Sequence, residues 1–277
     1  SEMCIRDRDD PAEIFYTSGT TGLAKGVVHT HRARLEGALS CVVIGELTYD
    51  DVYLVNVPAL CHAAGWVWTL ANAYVGASIV VSKLRGFDPE VILRTMQDFG
   101  ITNLQLVPIT IMELIDFPDV RKFDLSSLRL IFYATAPMPA GPLRKALDIF
   151  GNIFMQPYGL TETGPNVTCL RRKEHSISGL SDEAADKRLK SCGRPCYGLF
   201  VKLVDEKGAE VPPHTVGEIV VKSRDMMTGY WNNEEETRST IRDGWLYTGD
   251  LATYDEDYYI YLAVSYTHLR AHETKAN

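Results

Sequence analysis

The sequence lacks the features that mark several broad protein classes. It has no basic surplus: 28 Lys and Arg stand against 36 Asp and Glu, a net charge of -8. Such a surface repels phosphate backbones rather than releasing their counterions, so no nucleic-acid partner is expected. It also lacks a long apolar run. The most apolar stretch, Trp66 to Val81, is broken by Asn72, Gly76 and Ser78 and falls short of the roughly 20 residues that span a bilayer, so no membrane span is expected. No signal-peptide pattern opens the chain. Cysteine is sparse and scattered: Cys4, Cys41, Cys61, Cys169, Cys192 and Cys196 read as reduced thiols in a chain large enough not to need disulfide staples. Cys192 and Cys196 have no His or Cys cluster beside them, so no zinc site is expected there. These readings together point to the cytoplasm. Internal repeats and low-complexity tracts are absent too.

What is present is ordinary globular material. The 277 residues are 45% hydrophobic and 23% charged, enough for one large domain or two smaller ones. Apolar, β-branched runs alternate with helical patterns to about residue 157, the signature of crossover units in a mainly parallel α/β sheet. Strands are expected at Ile14 to Tyr16, Val52 to Val57, Ser78 to Val81, Ile101 to Val107, Leu128 to Tyr133 and Ile153 to Gln156. A helix is marked by Asp88 as cap, Pro89 at its first position and Gly100 at its end, and another runs from Leu143 to Phe150 before Gly151. The polar stretch Arg171 to Lys190 interrupts the pattern. Beyond it, strands at Leu199 to Val204 and Gly217 to Lys222, with turns at Asp205 to Gly208 and Pro212-Pro213, indicate a small antiparallel β-subdomain. The expected division is an α/β core over 9–190 and a β-rich part over 191–262.

Ligands of open parallel sheets bind beyond the strand C-termini, and four unusual loops follow strands here: Thr17 to Gly26, Pro58 to Gly65, Ala134 to Pro139 and Pro157 to Gly164. The first offers backbone N–H groups at Gly19, Gly22 and Gly26, hydroxyls at Thr17, Ser18, Thr20 and Thr21, and one cation, Lys25. That set suits an oligophosphate. A Walker loop is excluded, because Lys25 precedes Gly26 and no Ser or Thr follows, and a conventional P-loop phosphotransferase is disfavoured with it.

The string Thr17-Ser18-Gly19-Thr20-Thr21-Gly22-Leu23-Ala24-Lys25-Gly26 closely resembles the signature of the adenylate-forming superfamily of acyl-CoA ligases, luciferases and peptide-synthetase adenylation domains. The resemblance continues in order. Pro58 to Gly65 is similar to the family loop that places a histidine, here His62, near the acyl substrate; alone, His62 reads as a satisfied loop histidine. Ala134-Thr135-Ala136-Pro137 resembles the segment lining the adenine and acyl pocket, where the family more commonly carries Gly. Gln156 to Thr163 resembles the segment whose aromatic, here Tyr158, stacks on adenine, whose Thr161 contacts phosphate and whose Glu162 holds magnesium; alone, Thr161 and Glu162 would merely start a helix. Gly244 to Leu251 resembles the segment whose Asp250 receives the ribose hydroxyls. Gly217-Glu218-Ile219 and Gly229-Tyr230-Trp231 read as structural strand and turn elements.

The resemblance implies ATP- and magnesium-dependent activation of a small-molecule carboxylic acid as an acyl-adenylate, then transfer to coenzyme A. Thr17, Ser18, Gly19, Thr20, Thr21, Gly22 and Lys25 would serve the phosphates, Tyr158 and Gly159 the nucleotide, and His62, Trp66, Tyr133, Ala134, Thr135 and Gly159 the acyl pocket. Thr161, Glu162, Lys25 and His62 would be the catalytic set. Alternatives of the same superfamily and of another class are a peptide-synthetase adenylation domain and a non-catalytic nucleotide-binding remnant. The family's hinge, its C-terminal lid domain and the lid's lysine find no match after Tyr261, so the chain is expected to be a fragment and a poor catalyst by itself. Residues 1–8 and 263–277 are expected to be non-native tails.

Overall fold

The computed structural model describes residues 7–17, 24–56, 60, 62–82, 86–136 and 138–265. Two strands come first, β1 (Pro11–Thr17) and β2 (Lys25–Thr30), followed by α1 (His31–Gly45). Strand and helix then alternate: β3 (Val52–Asn56), α2 (Ala63–Tyr74), β4 (Ser78–Ser82), α3 (Pro89–Asp98), β5 (Asn103–Leu106) and α4 (Pro108–Asp116). The series continues through β6 (Leu130–Tyr133), α5 (Ala140–Phe150), β7 (Phe154–Leu160) and β8 (Gly164–Leu170). After α6 (Asp182–Lys190) come β9 (Arg194–Pro195), β10 (Phe200–Val204), β11 (Gly217–Lys222), β12 (Gly229–Tyr230) and α7 (Glu234–Thr240). The last elements are β13 (Ile241–Arg242), β14 (Trp245–Tyr254) and β15 (Ile260–Ser265). Among the described residues no helix is long and apolar enough to cross a membrane.

The chain folds as two compact units: residues 1–40, 159–167 and 195–277 form one, residues 41–158 and 168–194 the other. This differs from the single boundary near residue 190 that the sequence suggests. The physical reason is pairing across the sequence: β2 carries β12 at Val27 and Val28, which joins the β1–β2 hairpin to a strand about 200 residues further on.

The α/β unit matches its expected class. Strands β4, β3, β5, β6 and β7 lie side by side in parallel register, with Val52 opposite Ser78, Asn103 opposite Leu130 and Ile131 opposite Phe154. Leu54, Leu104, Ile131 and Phe132 are fully buried, as parallel strands covered by helices should be. Trp68 of α2 stacks on Phe132 with ring centroids 4.0 Å apart. Helix α3 starts where expected: the Asp88 side chain accepts from the Val91 N–H, Pro89 follows, and Ile92, Leu93 and Met96 form the buried stripe. At the strands' N-terminal side, buried Asp51 accepts from Arg129 Nε at 2.7 Å and from the Thr102 hydroxyl at 2.6 Å. Burial opposes its charge, yet these bonds hold its carboxyl below the ordinary range.

The other unit is antiparallel throughout. β1, β2 and β12 form one sheet, and β10, β11, β14 and β13 another, with β15 on β14. Here the structure corrects two readings. The strand at Ile14 to Tyr16 does not open a parallel crossover; β1 pairs with β2 as a hairpin, Thr17 opposite Lys25. A connection this short permits only antiparallel pairing, since a parallel crossover takes roughly a dozen residues or more. Likewise Pro157 to Gly164 is not one loop. The chain stays extended through Leu160, turns at Thr161 to Thr163 and returns as β8. Strand β15 runs on to Ser265, past the expected end of the β-rich part.

Candidate functional site

In the antiparallel unit the first residue of β2 is Lys25, so the sheet ladder fixes the backbone from which its ammonium extends. That ammonium is paired with Glu236 of α7 and lies 5.3 Å from the ring centroid of Tyr230. The Tyr230 hydroxyl donates to Glu162 Oε1 at 3.1 Å. Burial, then the neighbouring Glu162 carboxylate, raises the phenol well above its ordinary pKa, so it remains a proton donor to that oxygen. Lys25 and Glu162, 137 positions apart in sequence, are thus held to one aromatic side chain.

The backbone around Glu162 is held just as firmly. Leu160 N–H donates to the Thr163 hydroxyl at 2.8 Å, and Met227 N–H donates to the Glu162 carbonyl at 2.8 Å. Thr161 is half-buried, and its backbone meets His29 of β2. His29 is completely enclosed; burial first, and the nearby Arg34 cation second, push its pKa down to about 2. The ring is therefore neutral. Arg34 itself pairs with Glu13 at 2.7 Å.

Gly159 has a packing reason for being glycine. A Cβ there would lie 2.4 Å from the Gly164 carbonyl oxygen and 2.9 Å from Pro165, closer than real Cβ atoms approach. Asp250 is buried on β14, immediately after Gly249, whose φ is +75°. Gly249 N–H donates to Glu218 Oε1 at 2.8 Å and Asp250 N–H to the Thr248 hydroxyl at 3.1 Å, opposite a register shift between Glu218 and Val220. That irregularity re-aims the strand at Asp250. Thr17 ends β1 opposite Lys25. Ser18, Gly19, Thr20, Thr21 and Gly22 lie outside the described residues.

In the α/β unit, Tyr158 is a half-buried residue of β7 and Trp66 a half-buried residue of α2. His62 caps α2 through its backbone, its carbonyl accepting from the Trp66 N–H at 3.0 Å, and its ring is exposed. Ala134 and Thr135 follow β6; Thr135 is exposed with φ +76°. A β-branched residue in that region is strained, and such strain gathers at ligand sites. Pro58, Ala59, Cys61 and Pro137 lie outside the described residues.

Tyr133 is a different case, because it is fully buried and presents no surface to a substrate. His175 Nδ1 sits 3.0 Å from the Arg171 carbonyl and must therefore carry the proton there. Nε2 is left to accept from the Tyr133 hydroxyl at 2.9 Å. Burial pushes the phenol's pKa up and lowers the imidazole to about 4. The polar stretch from Arg171 to Lys190, unassigned in the sequence, supplies this core histidine.

Sequence reasoning missed Tyr230 and Glu236. Gly229-Tyr230-Trp231 reads as a structural element, and Glu234, Glu235 and Glu236 prove to be the acidic first turn of α7. Only long-range pairing reveals their role. Among the described residues no group of three His, Cys, Asp or Glu could hold a metal ion by itself. Glu162 can supply one ligand, since Tyr230 occupies only Oε1.

The chain is similar to proteins of one family. A family model described as AMP-binding enzyme matches residues 2–231. The chain is 37% identical over 256 residues to the medium/long-chain-fatty-acid–CoA ligase FadD8 of Mycobacterium tuberculosis, covering 92% of this chain and 42% of that one. It is 34% identical over 254 residues to a feruloyl-CoA synthase of Amycolatopsis sp, covering 92% and 49%. The solved amide bond synthetase McbA of Marinactinospora thermotolerans superposes with a TM-score of 0.82 at 30% identity, covering 92% of this chain and 49% of that one. The inhibitor-bound N-terminal domain of FACL13 from Mycobacterium tuberculosis gives 0.83 at 28% identity, covering 96% and 63%. The chain spans about half the length of the curated relatives it matches.

Proposed function

From the premise that this chain belongs to the AMP-binding enzyme family, we propose that its protein activates a carboxylic acid with ATP and passes the acyl group to coenzyme A. The observation that carries the reading is Tyr230 holding a cation, Lys25, and an anion, Glu162, on one ring and its hydroxyl.

A carboxylate oxygen of the acid attacks the α-phosphorus of ATP, and the bond from that phosphorus to the bridging oxygen of pyrophosphate breaks. The products are an acyl-adenylate and pyrophosphate. Both reactants are anions, so the reaction needs fixed positive charge and donors where charge develops. Lys25 supplies charge, and Thr17, Ser18, Gly19, Thr20, Thr21 and Gly22 supply hydroxyls and N–H groups around the phosphates. Thr161 adds a hydroxyl. Tyr158 stacks on adenine, and Asp250 accepts from the ribose hydroxyls.

Magnesium fits this set as an ion that takes one protein carboxylate and completes its shell with phosphate oxygens and water. Glu162 would hold it, and bound there it would neutralise phosphate charge. His62, Trp66, Ala134 and Thr135 line the acyl side. In the second step the thiol sulfur of coenzyme A attacks the acyl carbonyl, AMP departs and the thiol proton goes to solvent. Reliance on ATP and coenzyme A suits a cytoplasmic enzyme. The names of the relatives, a fatty-acid ligase and a feruloyl-CoA synthase among them, favour coenzyme A as acceptor over a peptide-synthetase carrier.

The test is acid-dependent exchange of label between pyrophosphate and ATP by the whole protein, run over a panel of aliphatic and aromatic acids. Exchange with at least one acid, followed by thioester formation with coenzyme A, is the expected result. ATP binding without exchange for any acid would leave the nucleotide-binding remnant as the correct description.

A further inference from the structure

The ammonium of Lys25 already has an anion. Its side chain is 14% exposed and that of its partner, Glu236, 35%, so the pair is largely out of bulk water. Neither backbone can easily retreat. Lys25 is held in β2, with Thr17 opposite it in β1, Tyr230 opposite Val27 in β12, and Trp231 N–H donating to the Gly26 carbonyl at 2.7 Å. Glu236 is held through its N–H to Asn233 Oδ1 at 3.1 Å, while its neighbour Thr237 accepts from the Tyr230 N–H at 2.8 Å. What can move is the two side chains.

One ammonium therefore faces two claimants: the Glu236 carboxylate and, on the adenylation reading, an oligophosphate. A lysine ammonium is a compact charge on a flexible stem, able to swing between them. A triphosphate carries more charge than a carboxylate and displaces it. When pyrophosphate leaves, the carboxylate is within reach to retake the cation.

We infer that Glu236 is a displaceable internal stand-in for phosphate, holding Lys25 in the nucleotide-free chain and recapturing it as pyrophosphate departs, so that the chain binds pyrophosphate more weakly than Lys25 alone would allow. The juxtaposition that carries this is Glu236, Lys25 and Tyr230 on three elements tied by backbone bonds. Glu236 is here a positioning residue for Lys25, not a group that touches substrate.

The test is calorimetric titration of the 277-residue chain with magnesium pyrophosphate, ATP and adenosine, for wild type, Glu236→Gln and Glu235→Gln. Glu236→Gln should tighten pyrophosphate and ATP by roughly three- to fivefold, the upper scale of removing one competing ion pair, and leave adenosine unchanged. Glu235→Gln removes the same charge from the same helical turn and should shift pyrophosphate by less than about twofold. Equal affinities for wild type and Glu236→Gln, or equal tightening by both variants, would overturn the inference. Should Glu236→Gln not fold, Glu236→Asp, whose carboxylate is drawn back by one methylene, must tighten pyrophosphate in the same direction, and failure to do so overturns it equally. A wild-type chain that binds neither ATP nor pyrophosphate would overturn the inference by itself, whereas the adenylation reading on which it rests stands or falls with the exchange assay on the whole protein.

Discussion

Tyr230 donates its hydroxyl to Glu162 Oε1 at 3.1 Å while its ring lies beneath the Lys25 ammonium, 5.3 Å from centroid to nitrogen. A single side chain from a strand of two residues therefore sets the relative position of the two charges assigned to phosphate and metal. The two contacts are separable by mutation. Tyr230→Phe keeps the ring and removes the hydrogen bond, whereas Tyr230→Leu removes both. A hydrogen bond to a charged group is worth about 1.5–3 kcal/mol, so Tyr230→Phe should lower kcat/KM for pyrophosphate exchange by roughly tenfold or more. Tyr230→Leu should lower it further. If the phenylalanine variant exchanges at the wild-type rate, Glu162 does not depend on the hydroxyl.

Gly159 distinguishes a packing glycine from a ligand-contacting one. Its neighbours leave no room for Cβ, with the Gly164 carbonyl oxygen 2.4 Å from where that atom would sit. Gly159→Ala should therefore destabilise the chain by about 1–3 kcal/mol, the usual cost of overpacking, seen as a lower urea midpoint without any nucleotide present. A wild-type midpoint with weakened ATP binding would show that the glycine serves the ligand instead.

The α/β unit was the legible part of the sequence because β3, β4, β5 and β6 are each followed by a helix, and local signals such as Asp88, Pro89 and Gly100 mark the helix ends. The hairpin of β1 and β2 was less legible. Val27, Val28, His29 and Thr30 are all buried, so the alternation that marks a half-exposed strand is absent. Motif residues Lys25, Glu162 and Asp250 could be named from resemblance, but Tyr230 and Glu236 could not. Their significance lies in partners about 70 and 210 positions away, and no local pattern encodes such pairing. Tyr133, named by resemblance as a candidate for the acyl pocket, is buried and bonded to His175, a placement that no local pattern encodes either.

Two buried histidines predict an acid-sensitive fold. His175 has its pKa lowered to about 4 and His29 to about 2, both from an ordinary value of 6.5. A base whose pKa is depressed in the folded state costs nothing above the unfolded value. As pH falls below about 6.5 the unfolded chain gains a proton that the folded chain refuses, and stability declines until the folded pKa is passed. At about 1.4 kcal/mol per pH unit for each group, each unit of the fold should lose roughly 2 kcal/mol between pH 6.5 and pH 5. Urea unfolding at the two pH values measures this. His175→Gln, which cannot titrate, should flatten the fall in the α/β unit, and an unchanged fall would mean that other groups cause it.

Thr135 holds φ +76° without being glycine. For a residue with Cβ the left-handed region costs about 1–2 kcal/mol, and a β-branched side chain sits there least comfortably. Thr135→Gly relieves that strain but gives the unfolded chain more freedom, worth about 0.5–1 kcal/mol in the opposite direction. The net expectation is a gain in stability of up to about 1 kcal/mol, read as a rise of a few degrees in the midpoint of the α/β unit's thermal transition. The same position lies in the segment assigned to the acyl side, where a hydroxyl and a methyl group narrow the space that a glycine would open. Thr135→Gly should therefore also broaden the panel of acids that support exchange, with the gain falling on the bulkier ones. Greater stability with an unchanged acid profile would place Thr135 outside the pocket, and lower stability would mean that its side chain contributes more than its backbone strain costs.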